Sequence, residues 1–188
     1  MKVVAFTGMP GSGKSAAIEA LKSEGYEIVY MGDVVRTEMT RQNVELTSKN
    51  VRDFATEIRK KNGDDVVAVR CLAELREKIE RSKGKPVIIE DIKGIAEVEY
   101  FRKELGEDFM LVAIHTPPKL RFERSRNREG EWDDKTIKNF EEFQWRDKKE
   151  MEWGLSEAIA LADYIVMNDS SETELIDRVK DILARLEV

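Results

Sequence analysis

Eight residues, Gly8-Met9-Pro10-Gly11-Ser12-Gly13-Lys14-Ser15, constrain what this chain can fold into more tightly than anything else in it. They match G-x-x-x-x-G-K-[ST] and stand between an apolar run, Val3–Phe6, and a helical pattern that opens at Lys14. Glycines at that spacing let successive backbone N–H groups converge on phosphate oxygens, and the helix N-terminus behind them adds a favourable dipole. In such a cradle Lys14 neutralises the β- and γ-phosphates of a nucleoside triphosphate, and Ser15 offers its hydroxyl to Mg²⁺. ATP and Mg²⁺ are therefore the expected cofactors, held by Gly8, Met9, Pro10, Gly11, Ser12, Gly13, Lys14 and Ser15.

Short apolar, β-branched runs recur at Val3–Phe6, Glu27–Met31, Val87–Ile89, Phe109–Ile114 and Tyr164–Met167. Helical spacing marks Lys14–Ser23, Val34–Arg41, Asn50–Lys60, Asp65–Arg81, Ala96–Leu105, Leu120–Arg126, Asp134–Asp147 and Ser171–Leu186. This alternation predicts an α/β fold of three layers, a five-stranded parallel sheet flanked by helices. Ser171 and Glu174 have the spacing of a capping box, ahead of an apolar face of Leu175, Val179, Ile182, Leu183 and Leu186. The 188 residues fit a single domain. Two stretches, Val34 to Lys83 and Asn127 to Leu155, are too long for simple crossovers and read as excursions from the core.

Composition removes several alternatives. Charged residues make up 37% of the chain, but their signs are interspersed and the net charge is −6, so a nucleic-acid partner is not expected. Cys71 is the only cysteine, which excludes an internal disulfide and fits a reducing, cytoplasmic setting. His115, the only histidine, leaves too few soft ligands for structural zinc. No apolar run is long enough for a transmembrane helix, and no membrane partner is expected. The late strand ends in Asn168-Asp169-Ser170 rather than a guanine-specifying Asn-Lys-x-Asp, which disfavours a GTPase switch.

The carboxyl ends of parallel strands line the ligand crevice. Asp33 and Arg36 follow the second run: Asp33 can take a proton from an attacking hydroxyl or hold Mg²⁺ through water, and Arg36 can grip an acceptor phosphate. The plain alternative is that Asp33 caps the following helix and Arg36 is solvated. The third run ends in Glu90-Asp91-Ile92-Lys93, and an acid there orders the water shell of Mg²⁺. Within Leu120–Arg128, Arg121, Arg124 and Arg128 share a helical face. Arginines that close on a transferring phosphoryl stabilise its charge and exclude water, and Arg124, Arg128 and Arg146 are the expected ones. Trp132, Phe140, Phe143, Trp145 and Trp153 could form a base-stacking set, but the spacing of Ile137, Phe140 and Phe143 favours packing.

With these pieces in view the sequence resembles P-loop nucleoside monophosphate kinases and dephospho-coenzyme A kinases, and most closely archaeal proteins described as adenylate-kinase-related. The likeness spans nearly the whole chain, including Phe54-Ala55, Gly63-Asp64, His115-Thr116-Pro117-Pro118, Arg146-Asp147 and Ala162-Asp163-Tyr164-Ile165. It implies the P-loop kinase fold, an acceptor-binding helical insertion at 34–83 and a lid at 127–147. It implies that Arg36, Arg59 and Lys93 bind the acceptor and that Asp33 lies near an acceptor hydroxyl. Similar proteins tend to carry Asp-Gly-x-Arg where this chain has Glu90, Asp91 and Lys93, so Glu90 is the aligned metal residue and Asp91 its rival. Lysine for arginine loses a bidentate phosphate grip. The implied activity is Mg²⁺-dependent transfer of the ATP γ-phosphoryl to a nucleotide-like small molecule, a nucleoside monophosphate or a dephospho-coenzyme A type. The alternative is an ATP-binding regulatory or RNA-associated protein with slow ATPase activity, suggested by the arginine-rich segment and the altered Glu90–Lys93 stretch.

Overall fold

A computed structural model describes residues 2–126, 137 and 139–186. Strands β1 (Val3–Thr7), β2 (Ile28–Tyr30), β3 (Val87–Ile92), β4 (Phe109–His115) and β5 (Tyr164–Met167) alternate with helices α1 (Lys14–Ser23), α2 (Met31–Arg41), α3 (Ser48–Asn62), α4 (Val66–Arg81), α5 (Ile95–Leu105), α6 (Pro118–Arg126), α7 (Phe140–Met151), α8 (Leu155–Ala160) and α9 (Glu172–Ala184). The strands pair in parallel in the order β2-β3-β1-β4-β5. β1 is central and buried on both faces. Val3 and Ala5 enter a core shared with α2, α3, α4, α5 and α8, while Val4 and Phe6 enter a core shared with α1 and α9. Those two cores are the interfaces of a three-layer fold, as an all-parallel sheet requires. Ser171 caps α9 by accepting the Glu174 N–H at 3.2 Å, and Leu175, Val179 and Leu183 bury its inner face.

The structure departs from the sequence reading at four places. β3 continues through Glu90 and Asp91 to Ile92, because fully buried Ile92 resumes the apolar side of the strand past two acids. The ladder with β1 shifts between Ala5 and Thr7, so that Thr7 faces Ile92 and its Oγ1 donates to the Ile92 carbonyl at 2.9 Å. The resulting bulge re-aims the side chains at the strand's end. α2 begins at Met31, straight from extended Tyr30, so Asp33 lies inside its first turn instead of ahead of the helix. α8 was not expected: six residues after left-handed Gly154 are too few to show a period. Finally, the stretch 34–83 is not wholly an excursion. In α4, Val66, Val67, Ala68, Cys71 and Leu75 are buried in the core, and Met31, Val35 and Met39 of α2 with Ala55 and Ile58 of α3 pack into the same core. Residues 127–136 and 138, including Arg128, Trp132 and most of the expected lid, lie outside the described residues.

Candidate active site

The phosphate loop is shaped by backbone that only glycine adopts freely. Gly8, Gly11 and Gly13 have φ of 148, 79 and 101. A Cβ at Gly13 would overlap Asn168 Nδ2 and come within 2.9 Å of Leu175 Cδ2; one at Gly8 would overlap the Ile114 carbonyl. The loop is also braced from below. The Ser12 carbonyl accepts from Thr116 Oγ1 at 3.0 Å and from Asn168 Nδ2 at 2.8 Å. Arg121, buried, donates to the Pro10 carbonyl at 3.2 Å and clamps Asp147 with both terminal nitrogens at 2.8 and 2.7 Å. Sequence reasoning selected neither Thr116, Asn168, Arg121 nor Asp147 for this task. Their signal was position: each lies at a strand's carboxyl end or in an arginine-rich or Arg-Asp stretch, but nothing local marks a bracing role.

Lys14 is buried. Its Nζ donates to the Gly8 carbonyl at 2.6 Å and lies 3.3 Å from Asp91 Oδ1. Asp91 Oδ2 is 3.0 Å from Lys93 Nζ, which is in turn 2.9 Å from Glu150. Burial lowers the Lys14 ammonium's pKa from its ordinary value, against the pull of Asp91. Burial works against the Asp91 carboxylate too, but Lys93 and Lys14 outweigh it and hold it at about 2. Burial also disfavours the Lys93 charge, yet Asp91 and Glu150 raise its pKa above the ordinary lysine value. Glu90, half-buried, is pushed up by burial and by the Asp91 charge.

A cavity of about 390 Å³ opens over the loop, lined by Pro10 to Ala16, Glu90, Asp91, Lys93, Arg124, Arg146 and Glu150. It fits a triphosphate: Ser12 Oγ is buried with no protein partner, and the glycines leave the approach to the main chain clear. Ser15 at the start of α1 and the carboxylates of Glu90 and Asp91 are hard oxygen donors. No group of three or more His, Cys, Asp or Glu forms a metal cage among the described residues. The donor set therefore suits Mg²⁺, which is held through one or two carboxylates plus phosphates rather than by an all-protein site.

A second cavity of about 310 Å³ shares a wall with the first through Asp91, Lys93, Arg146 and Glu150. Arg36, Arg52 and Arg59 give it a cationic side; Val35, Val51, Ala55 and Trp153 give it an apolar one. Arg59 is buried rather than on a solvated face: it pairs with Glu97 at 2.6 Å, donates to the Ala55 carbonyl at 3.2 Å and lies 4.9 Å over the Trp153 ring. Glu97 also accepts the Lys93 N–H at 2.8 Å, and burial raises its carboxyl despite Arg59. Asp33 corrects the expectation. Its carboxylate accepts from Arg36 at 3.1 and 2.7 Å, and it borders a separate depression with Thr37, Arg41, Arg70 and Glu74 instead of either cavity. The fold thus gathers Lys14, Ser15, Glu90, Asp91, Lys93, Arg124 and Arg146 around the loop, sets Arg36 and Arg59 in the second cavity, and leaves Asp33 outside both. Arg146 reaches both cavities, and its Nε is buried without an acceptor among the described residues. Phe122, Phe140 and Phe143 pack together at 5.3 to 5.6 Å and join α6 to α7.

The all-parallel five-stranded sheet, with a glycine loop between β1 and α1, is the P-loop kinase fold. A family model described as an AAA domain matches residues 7–144. The chain belongs to that family and to the UPF0200 proteins. It is 42% identical over 186 residues to a UPF0200/UPF0201 protein of Archaeoglobus fulgidus, covering 99% of this chain and 56% of that one. It is 38% identical over 185 residues to a UPF0200 protein of Thermococcus onnurineus, covering 98% and 97%. The chain thus spans little more than half of the Archaeoglobus protein but nearly all of the Thermococcus one. Among solved structures it is similar to TT1252 from Thermus thermophilus (TM-score 0.65, 22% identity, 98% and 97% covered). Similar too are the shikimate kinase of Aquifex aeolicus (0.54, 19%, 100% and 96%) and the dephospho-CoA kinase of Campylobacter jejuni (0.57, 16%, 100% and 98%). At these identities the likeness is one of fold. No described helix is long and apolar enough to cross a membrane.

Proposed function

We propose that the protein transfers the γ-phosphoryl group of ATP, with Mg²⁺, to a nucleotide-like small molecule seated in the second cavity. One observation carries this reading: the phosphate-loop cavity and a half-apolar, arginine-lined cavity share a wall. That juxtaposition is what direct transfer between two bound molecules requires, since holding reactants in register supplies much of the catalysis. Bound at the loop, ATP supplies the phosphoryl group and Mg²⁺ screens its charge. The loop's N–H groups and Lys14 hold the triphosphate. Ser15 and Glu90 or Asp91 hold the metal, and Arg124 and Arg146, with Arg128, offset the charge that develops on transfer. Arg36, Arg59 and Lys93 line the acceptor's place, and Trp153 offers its body a ring face. α2 and α3 within 34–83 form the acceptor insertion, and 127–147 the lid, at whose end Arg121 clamps Asp147.

For an acceptor that is a phosphate, no general base is needed. For a hydroxyl acceptor with Asp91 holding the metal, Glu90 is better placed as base than Asp33, because it faces the loop cavity and Asp33 does not. The reducing cytoplasm is the compartment proposed, in keeping with one buried thiol.

The test is a screen of nucleoside monophosphates and dephospho-coenzyme A for thermal stabilisation in the presence of a non-hydrolysable ATP analogue, followed by ADP release with each hit. Ligands that bind only the folded state raise its melting temperature. Lys14→Ala is expected to weaken nucleotide binding by about tenfold or more. Full affinity in Lys14→Ala, or ADP formation that no acceptor stimulates, would overturn the kinase reading in favour of a slow ATPase.

A further inference from the structure

Among the described residues, Asp91 is the one bordering the two cavities that bears a side chain in the left-handed region, at φ 69. Backbone strain of this kind persists only where the surroundings impose it, and it concentrates at functional sites. Here it sets a carboxylate between two ammonium groups, 3.3 Å from Lys14 and 3.0 Å from Lys93. Asp91 Oδ1, the oxygen facing Lys14, is buried and among the described residues has no well-aligned hydrogen-bond donor besides that ion pair. Glu150 competes for Lys93 at 2.9 Å, so Lys93 does not neutralise Asp91 alone. The loop lysine therefore faces a fixed internal anion inside the cavity where phosphate oxygens would sit.

We propose that Asp91 is a built-in competitor for Lys14 that makes triphosphate binding conditional on a divalent cation. A metal-free triphosphate entering the cavity meets a like charge at close range and contends with it for the Lys14 ammonium. A divalent cation removes both penalties, since it screens the phosphates and gives Asp91 Oδ1 a partner of the hard type that carboxylates prefer. Asp91 is in this sense a gating residue. The proposal rests on the phosphate-loop part of the reading above and not on the identity of any acceptor.

The experiment measures the affinity of the full-length protein for a non-hydrolysable ATP analogue by calorimetry, in excess Mg²⁺ and in EDTA. Wild type is compared with Asp91→Asn, which keeps the side chain's shape and tolerates the left-handed backbone, and with Asp91→Gly, which removes the strain. In EDTA both variants are expected to bind about tenfold or more tighter than wild type. In Mg²⁺ they are expected to bind no tighter, so the preference for the metal complex collapses. Metal-free affinity in both variants equal to or weaker than wild type would overturn the proposal. Binding in wild type with the expected collapse, but with no acceptor ever phosphorylated, would leave it standing while the kinase reading falls. No binding by any of the three proteins under either condition would overturn both.

Discussion

Removing Glu97 tests how the second cavity is held together. Glu97 and Arg59 are 1% and 8% exposed, face each other at 2.6 Å and come from α5 and α3. Glu97→Ala leaves the Arg59 charge buried without its acid, which costs about 3–5 kcal/mol at comparable sites. It also orphans the Lys93 N–H, for about 1 kcal/mol more. Against this, Arg59 keeps the Ala55 carbonyl and the Trp153 ring, and it borders a cavity that water can enter. The expected net loss is therefore about 3–5 kcal/mol, or about 6–20 °C in melting temperature for a chain of this size. Urea and thermal unfolding followed by circular dichroism would measure it, with an unchanged m-value marking a change in stability alone. The double replacement Arg59→Met with Glu97→Leu removes both charges and is expected to cost only about 1–2 kcal/mol, because a buried ion pair gains little over apolar groups of similar size. The upward shift of the Glu97 carboxyl by burial points the same way. A single-mutant loss below about 1 kcal/mol, or a double mutant as unstable as the single, would refute the reasoning.

Gly13→Ala is expected to destabilise by about 2 kcal/mol or more, from left-handed strain plus the displacement of Asn168. Gly25→Ala, with similar φ of 84 but no atom within 4 Å, should show only the strain of about 1 kcal/mol in the same thermal melts. Cys71 should resist iodoacetamide at pH 8 in native buffer, by mass spectrometry, because burial, with Glu74, Glu97 and Asp33 adding to it, pushes its thiol up to about 12. A raised thiol pKa means its contribution to stability is complete below pH 9 and fades as pH climbs from 9 towards 12. Rapid native alkylation would contradict the burial.

Local patterning carried most of the fold. Apolar runs of three to six residues marked every strand, and the Ser171 cap marked the last helix, because these signals act between neighbours in the chain. The phosphate loop was legible for the same reason: its glycines answer a local demand for φ above zero. What escaped was everything that distance in sequence hides. Ser12 is held by Asn168, 156 residues away, and Arg59 is claimed by Glu97, 38 residues away. Neither partner carries a pattern of its own.

Three acids show where that boundary falls. Asp33 follows a strand as the acceptor-site residue should, yet α2 starts at Met31 and the side chain turns to Arg36. Glu90 was the aligned candidate and Asp91 its rival; the β1–β3 ladder shifts between Ala5 and Thr7, and Asp91 stands left-handed against Lys14. Strand runs and a glycine phosphate loop can be read from the chain alone, since each depends on short-range geometry. Which charges face the loop and which neutralise one another follows from packing, because a buried charge is settled by whichever partner the fold brings within reach.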